Sequence, residues 1–165
     1  MASPQSLSSI PIDQRYFEDY VEGSVVDCGT IRVEPEEVLA FGRRFDPQPF
    51  HSDPAAAANT SFGGLIASGW HTASLMMRLF VQRYISSVAS LGSPGASELA
   101  WPHPVRPGDV LRVVITVTDA RLSRSKPDRG IVHSDIQVFN QHEQIVMRMK
   151  VTNMLSCRST CAASP

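Results

Sequence analysis

The sequence SGWHTASLMMRLFVQRYISSV, residues 68–88, decides the fold because it predicts one long helix with apolar residues on almost every side. Leu75, Met76 and Leu79 add apolar side chains outside the main apolar face. That face follows helical spacing and comprises Trp70, Ala73, Met77, Phe80, Val81, Tyr84 and Val88. A helix that is apolar nearly all round is a buried helix. The rest of the chain must therefore supply a surface that covers it.

The second half of the chain predicts this surface as three long antiparallel strands. The first, VLRVVITVTDA at 110–120, alternates so that one face carries Leu111, Val113, Ile115 and Val117. The others are GIVHSDIQVF at 130–139 and QIVMRMKVTNM at 144–154, with residues 140–143 as a hairpin connection. One buried helix and a run of strands predict an α+β domain in which an antiparallel sheet wraps around the long central helix.

The first half predicts shorter elements. SVVDCGTIRV at 24–33 is rich in β-branched residues and predicts a strand. Pro35 then begins a helix, and Asp53 caps a second, short helix that starts at Pro54. SLGSPGAS at 90–97 predicts a loop between the two halves.

Length and composition indicate one globular domain. The chain has 165 residues, of which 42% are hydrophobic and 19% are charged. We expect the domain to span 13–154, with a flexible N-terminus at 1–12 and a flexible tail at 155–165, because both ends are polar and lack periodicity. The net charge of -1 and the absence of a basic cluster argue against nucleic-acid binding.

The cysteines and the N-terminal sequence predict a cytoplasmic protein. Cys28, Cys157 and Cys161 do not form a disulfide framework, so a reducing compartment is expected. The first residues lack the basic and apolar regions of a signal peptide. No run reaches the roughly 18 apolar residues that would predict a membrane span.

The stretch FDPQPFHSDP at 45–54 contains the first candidate site residues. Its prolines restrict the backbone and predict a stiff, non-helical segment that holds Asp46 and His51 in place. A carboxylate and an imidazole five residues apart can hold one water molecule and act as a general acid/base pair. Alternatively, Asp46 caps a turn while His51 packs or faces solvent.

Glycines precede the long helix and provide a second candidate feature. Backbone N–H groups at the helix start lack intrahelical partners, so Gly63, Gly64 and Gly69 allow a ligand to approach them and an oxyanion to bind. Alternatively, the glycines form only the turn and a close contact between helix and sheet. Ser68 is interpreted as the N-cap of the helix, because the full nucleophile-elbow pattern is absent. Neither a metal-ligand pattern nor a phosphate-binding loop is apparent.

Together, FDPQPFHSDPAAAANTSFGGLIASGW at 45–70 and WPHPVRPGDVL at 101–111 resemble the MaoC-like dehydratases, the single-hotdog relatives of R-specific enoyl-CoA hydratases. The family has an Asp-x-Asn-Pro-x-His-x-Asp run followed by a helix that begins His-Gly. The matching positions are Asp46, Pro49, His51, Asp53 and Gly69. Two positions depart from the pattern, since Gln48 replaces the usual Asn and Ser68 replaces the usual His.

This resemblance implies a hotdog fold and a hydratase/dehydratase that interconverts a trans-2-enoyl-CoA and a (3R)-3-hydroxyacyl-CoA in fatty acid metabolism. It makes Asp46 and His51 the catalytic pair and the N–H of Gly69 the oxyanion donor, and we expect Gly64 and Ser68 to bind substrate. No cofactor is expected, since CoA is part of the substrate. A homodimer or higher homo-oligomer without a membrane or nucleic-acid partner is implied. A hotdog thioesterase and a non-catalytic acyl-CoA-binding subunit are the alternatives.

Overall fold

The computed structural model, which describes residues 6–158, is built on one five-stranded antiparallel sheet. Within that range it has the strands β1 (Val25–Arg32), β2 (Gly95–Ala100), β3 (Val110–Leu122), β4 (Arg129–Phe139) and β5 (Ile145–Ser156). Their order is β1-β3-β4-β5-β2, so β1 and β2 lie at the edges. The three predicted long strands and the hairpin are confirmed, because β4 and β5 pair and the Asn140 N–H donates to the Gln144 carbonyl at 3.0 Å.

Within residues 6–158, a proline begins each of the three α-helices that precede the central one. These helices are α1 (Pro35–Phe45), α2 (Pro49–Ser52) and α3 (Pro54–Ala58). Proline suits a first helical position because its φ is already fixed and its missing N–H is not needed there. The Asp53 carboxylate accepts from the N–H groups of Ala55 and Ala56, so the predicted cap is confirmed. The prediction of a wholly non-helical proline segment is wrong, since Pro49 starts the single helical turn α2.

The central helix α4 spans Gly69–Arg83 and ends five residues before the predicted Val88. Its buried side chains are His71, Thr72, Leu75, Met76, Leu79 and Phe80. The predicted main face is therefore wrong in part, because Trp70, Met77 and Val81 are 59%, 42% and 53% exposed. The sheet covers one side of α4 within this chain, and an all-round apolar pattern does not specify which side that is.

A buried arginine marks the end of α4. Arg15 is 3% exposed, and its guanidinium donates to the carbonyls of Arg83 and Tyr84 at 2.8 and 2.7 Å. These carbonyls lack intrahelical partners, and a cation also suits the negative end of the helix dipole. The Nε of Arg15 donates to the Ile10 carbonyl at 2.7 Å, which ties the N-terminal segment to the helix.

The packed domain is wider than the predicted 13–154. Leu7 is 1% exposed in a 3-10 turn at Leu7–Ser9, and Leu155 is 0% exposed in β5. The predicted flexible ends therefore pack against the domain at 6–12 and 155–158, because each buries an apolar side chain. The remainder of both predicted flexible segments, including Cys161, lies outside the described residues.

The segment predicted as a loop at 90–97 contains the start of an edge strand. β2 begins at Gly95 and pairs with β5, although its first four residues are all exposed. The Gly/Pro/Ser composition predicts a turn. Strand pairing outweighs this local preference, because the backbone N–H and C=O groups along the outer edge of β5 need partners and β2 supplies them.

The core lies between α4 and the inner face of the sheet. The predicted inward residues of β3 are confirmed as 0% exposed: Leu111, Val113, Ile115 and Val117. They belong to one apolar cluster with Leu75, Met76 and Leu79 of α4. Within residues 6–158, no helix is long and apolar enough to cross a membrane.

Candidate active site

The proline-rich segment brings Asp46 and His51 together. Asp46 terminates α1, and α2 turns the chain so that His51 faces it. Asp46 Oδ2 and His51 Nε2 lie 3.3 Å apart, with side chains that are 21% and 7% exposed. The two predicted catalytic residues therefore form one partly buried pair.

The backbone fixes the orientation of the imidazole. His51 Nδ1 lies 2.8 Å from the carbonyl oxygen of Ile66, which can only accept a hydrogen bond. We therefore assign the hydrogen to Nδ1, so that in the neutral ring the lone pair is on Nε2. The nitrogen that can exchange a proton during a reaction is thus the one that faces Asp46.

Two side chains hold the carboxylate of Asp46. Gln48 Nε2 donates to Oδ1 at 2.8 Å, and Ser68 Oγ donates to Oδ2 at 2.7 Å. Burial by itself raises the pKa of Asp46, but these two hydrogen bonds and the nearby His51 outweigh it and lower the pKa below its usual value. Asp46 is therefore ionised at neutral pH.

Ser68 joins this pair to the central helix. Its Oγ accepts from the N–H of Trp70 at 3.3 Å, so the predicted N-cap is confirmed. The same hydroxyl donates to Asp46, a contact that the sequence did not reveal because the residues are distant along the chain. Gly69 follows as the first residue of α4, where a backbone N–H has no intrahelical acceptor.

Trp101 lies so close to Gly69 that any side chain at position 69 would have to displace the indole. A Cβ added to Gly69 would lie 2.6 Å from Cε2 of the Trp101 indole. Trp101 also meets Trp70 edge to face, with ring centroids 5.3 Å apart. Trp101 was not predicted as a site residue, although a bulky aromatic residue beside the prolines of WPHPV is a signal for a rigid wall.

Asp46, His51, Ser68 and Gly69 line one pocket of about 400 Å³. Its walls are mainly apolar and include Phe50, Phe62, Trp70, Trp101, Pro104 and Val146. A mostly apolar pocket with a few convergent polar groups is typical of a small-molecule site. Within residues 6–158, no group of three or more His, Cys, Asp and Glu side chains is arranged to hold a metal ion.

Gly64 does not line this pocket. It has a φ of 154°, and an added Cβ would lie 3.5 Å from Nη1 of Arg106. Arg106 donates to the carbonyl of Phe62 at 2.6 Å and so braces the turn before α4. A role for Gly64 in substrate binding stays a prediction.

Solved structures with the same fold identify the architecture and the relatives. A protein from Mycobacterium tuberculosis that is described as having a double hotdog fold matches this chain with a TM-score of 0.73 and 16% sequence identity. The match covers 94% of this chain and 48% of that protein. The predicted hotdog fold is confirmed. The (R)-hydratase from A. caviae involved in PHA biosynthesis is 28% identical, with a TM-score of 0.65, over 81% of this chain and 95% of its own.

Sequence similarity assigns the chain to one family. The MaoC-like dehydratase from Rhodospirillum rubrum is 41% identical over 88% of this chain and 99% of its own, with a TM-score of 0.81. The sequence pattern of the family described as MaoC like domain matches residues 18–138. With a hotdog fold and this extent of sequence similarity, the chain belongs to the MaoC-like family of hydratases and dehydratases.

Proposed function

We propose that this protein hydrates a trans-2-enoyl-CoA to a (3R)-3-hydroxyacyl-CoA and catalyses the reverse dehydration. The observation that carries the proposal is the pair formed by Asp46 Oδ2 and His51 Nε2, 3.3 Å apart in an apolar pocket. Family membership supports the reaction class, and the chemistry of the pair supports the roles of the two residues.

Asp46 and His51 together hold and activate one water molecule. Both Oδ2 and Nε2 can accept a hydrogen bond from water, which leaves the water oxygen to attack C3 of the enoyl thioester. The pair takes one proton from the water and delivers a proton to C2, so that water adds across the double bond. Because the two groups are in direct contact, a proton that one of them takes from the water can be delivered by the pair as a unit.

The first turn of α4 stabilises the charge that develops on the substrate. As C3 is attacked, negative charge moves to the thioester oxygen and forms an enolate. The N–H of Gly69 is free of intrahelical bonding and lies at the positive end of the helix dipole, so it is the proposed donor to that oxygen. A preorganised donor of this kind contributes roughly 3 kcal/mol to transition-state stabilisation.

The pocket walls suit an acyl chain, while the thioester carbonyl faces α4. Apolar side chains from α2, α4 and the segment that precedes β3 surround the reacting pair. The reaction uses only water and the substrate, of which CoA is a part. We further propose that the protein acts as a homodimer, because β2 is an edge strand whose first four residues are exposed and Trp70, Met77 and Val81 are exposed on α4. The cytoplasmic location stays a prediction.

The direct test follows the absorbance of the conjugated enoyl thioester in crotonyl-CoA and longer homologues. We expect absorbance to fall without release of free thiol, and chiral analysis to identify the (3R) product. Asp46→Asn and His51→Ala should each lower kcat by roughly 10²- to 10⁴-fold. Asp13→Asn and His142→Ala are matched controls, since both residues are exposed and outside the pocket.

Each alternative activity has its own result in this assay. Release of free CoA from a saturated acyl-CoA would identify a thioesterase and overturn the proposal. Tight binding of acyl-CoA without any turnover would identify a binding subunit. Full activity in both Asp46→Asn and His51→Ala would show that the pair is not catalytic.

A further inference from the structure

Ser68 lies between the acid/base pair and the central helix. Its side chain is 1% exposed, and its single hydroxyl hydrogen is directed to Asp46 Oδ2 at 2.7 Å. Its oxygen accepts from the N–H of Trp70 in the first turn of α4. A hydroxyl has one hydrogen to donate, so this one is already committed to Asp46.

We propose that Ser68 is a positioning residue that aligns the carboxylate of Asp46 with His51 and couples it to the oxyanion-binding turn of α4. This inference rests on the proposed function and assigns Ser68 a part in it other than substrate binding. Ser68 acts through Asp46 and does not itself touch the reacting atoms.

Ser68 can align the pair because it donates to the carboxylate oxygen of Asp46 that faces His51. Ser68 donates to Oδ2, the same atom that faces His51 Nε2, whereas Gln48 donates to Oδ1. With one donor on each oxygen, the carboxylate plane is fixed and Oδ2 stays beside His51 Nε2, so that both acceptors can bind the same water molecule. The side-chain torsion that turns a carboxylate has broad minima, so loss of the Ser68 donor lets Oδ2 rotate away from His51.

The contact also sets the distance between the two halves of the site. Ser68 immediately precedes Gly69, the proposed oxyanion donor, in the chain. A hydrogen bond from Ser68 to Asp46 therefore holds the water-binding atom and the Gly69 N–H in one arrangement. Small displacements of reacting groups cost large factors in rate, because the geometry must suit the attacking atom and the developing oxyanion together.

A simple capping role must be separated from this positioning role. Ser68→Gly does so, because glycine is tolerated at an N-cap but has no hydroxyl to offer Asp46. Ser68→Thr keeps both the cap and the hydroxyl. Ser86→Ala is the matched control, since Ser86 is also 1% exposed, donates to the Arg15 carbonyl and accepts from the N–H groups of Val88 and Ala89, but does not line the pocket.

The kinetic experiment measures kcat, KM and the pH dependence of crotonyl-CoA hydration in these variants. Ser68→Gly should lower kcat roughly 10- to 100-fold, the effect of losing one hydrogen bond to a charged group, with less than a threefold change in KM. Its acidic limb should move to higher pH, because the carboxylate loses a donor that favours its ionised form. Ser68→Thr should restore most of the rate, and Ser86→Ala should lower the melting temperature while keeping wild-type kcat and pH profile.

Other outcomes contradict the proposal. If Ser68→Gly keeps the wild-type kcat and pH profile, Ser68 is only a helix cap. If its KM rises while kcat is unchanged, Ser68 is a substrate-binding residue. If the wild type hydrates no enoyl-CoA, the proposed function fails, but the alignment can still be measured. Carboxyl-carbon NMR titration should then show a higher pKa for Asp46 in Ser68→Gly than in the wild type, and identical titrations would overturn the inference.

Discussion

Gly42 of α1 lies directly against the backbone of His51. A Cβ added to Gly42 would lie 2.7 Å from the carbonyl carbon of His51 and closer still to its carbonyl oxygen. Real Cβ atoms do not approach backbone atoms so closely, and His51 is itself held by its bond to the Ile66 carbonyl. The absence of a side chain at Gly42 therefore sets the position of the imidazole.

Gly42→Ala should lower both stability and activity. Alanine is favoured over glycine inside a helix by about 1 kcal/mol, so helix propensity alone predicts a gain in the free energy of unfolding. We expect a loss of stability and a fall in kcat of at least tenfold, because α2 must move and carry His51 away from Asp46. Urea unfolding and the hydration assay measure the two effects. Ala40→Gly, at an exposed position of the same helix, gives the size of the propensity term and should leave kcat unchanged; a more stable, fully active Gly42→Ala variant would contradict the prediction.

Gly69→Ala should be harmful only while Trp101 is present. The added methyl group would meet the indole at 2.6 Å and displace it from the pocket wall, while the backbone N–H of residue 69 stays in place. Trp101→Leu should therefore relieve the defect, so that the double variant is more stable than the sum of the two single changes predicts. Thermal unfolding of all four proteins measures this coupling. Additive effects would show that Gly69 is required for a reason other than its contact with Trp101.

Arg15→Ala should destabilise the protein by about 3 kcal/mol. The substitution leaves the carbonyls of Arg83 and Tyr84 without their charged donor at the buried end of α4. Denaturant unfolding measures the change. Arg83→Ala is the matched control and should change stability by less than about 0.5 kcal/mol, because the Arg83 side chain is exposed. Equal effects of the two substitutions would contradict the prediction.

Stability should fall as the pH drops below neutrality because of His71. This residue is 5% exposed and stacks on Phe41, and its Nδ1 has no hydrogen-bond partner within residues 6–158. Burial lowers the pKa of His71 below its ordinary 6.5, and nearby Glu37 opposes this only in part. As the pH falls through 6.5, the unfolded chain binds a proton that the folded chain does not bind. The free energy of unfolding then decreases by at most about 1.4 kcal/mol per pH unit from this residue.

His71→Phe should remove that contribution while it keeps the aromatic stacking on Phe41. We expect the variant's free energy of unfolding to be less sensitive to pH between 5 and 7 than that of the wild type. Chemical unfolding at several pH values provides the comparison, with His142→Ala as an exposed control. If the free energy of unfolding depends on pH in the same way in the wild type and His71→Phe, His71 does not contribute to that dependence.

Short-range features of this protein follow from the sequence alone. The prolines at 35 and 54 and the Asp53 cap predicted where two helices begin, because each acts on its own backbone or on residues within one turn. The alternation in residues 110–120 predicted the buried face of β3, since successive side chains of a strand point to opposite sides. Asp46 and His51 were predicted as a pair because they lie only five positions apart, with two prolines among the four residues between them.

Tertiary structure decided the features that join distant parts of the chain. The sequence of a helix that is apolar on all sides does not indicate which side contacts the sheet. The exposure of Trp70 and Met77 is therefore decided by tertiary packing. The same holds for Ser68 on Asp46 and Trp101 on Gly69, since hydrogen bonds and close contacts between distant residues leave no periodic signal. The sequence therefore determined the local elements and the pairing of Asp46 with His51, whereas packing determined the groups that hold this pair against the start of α4.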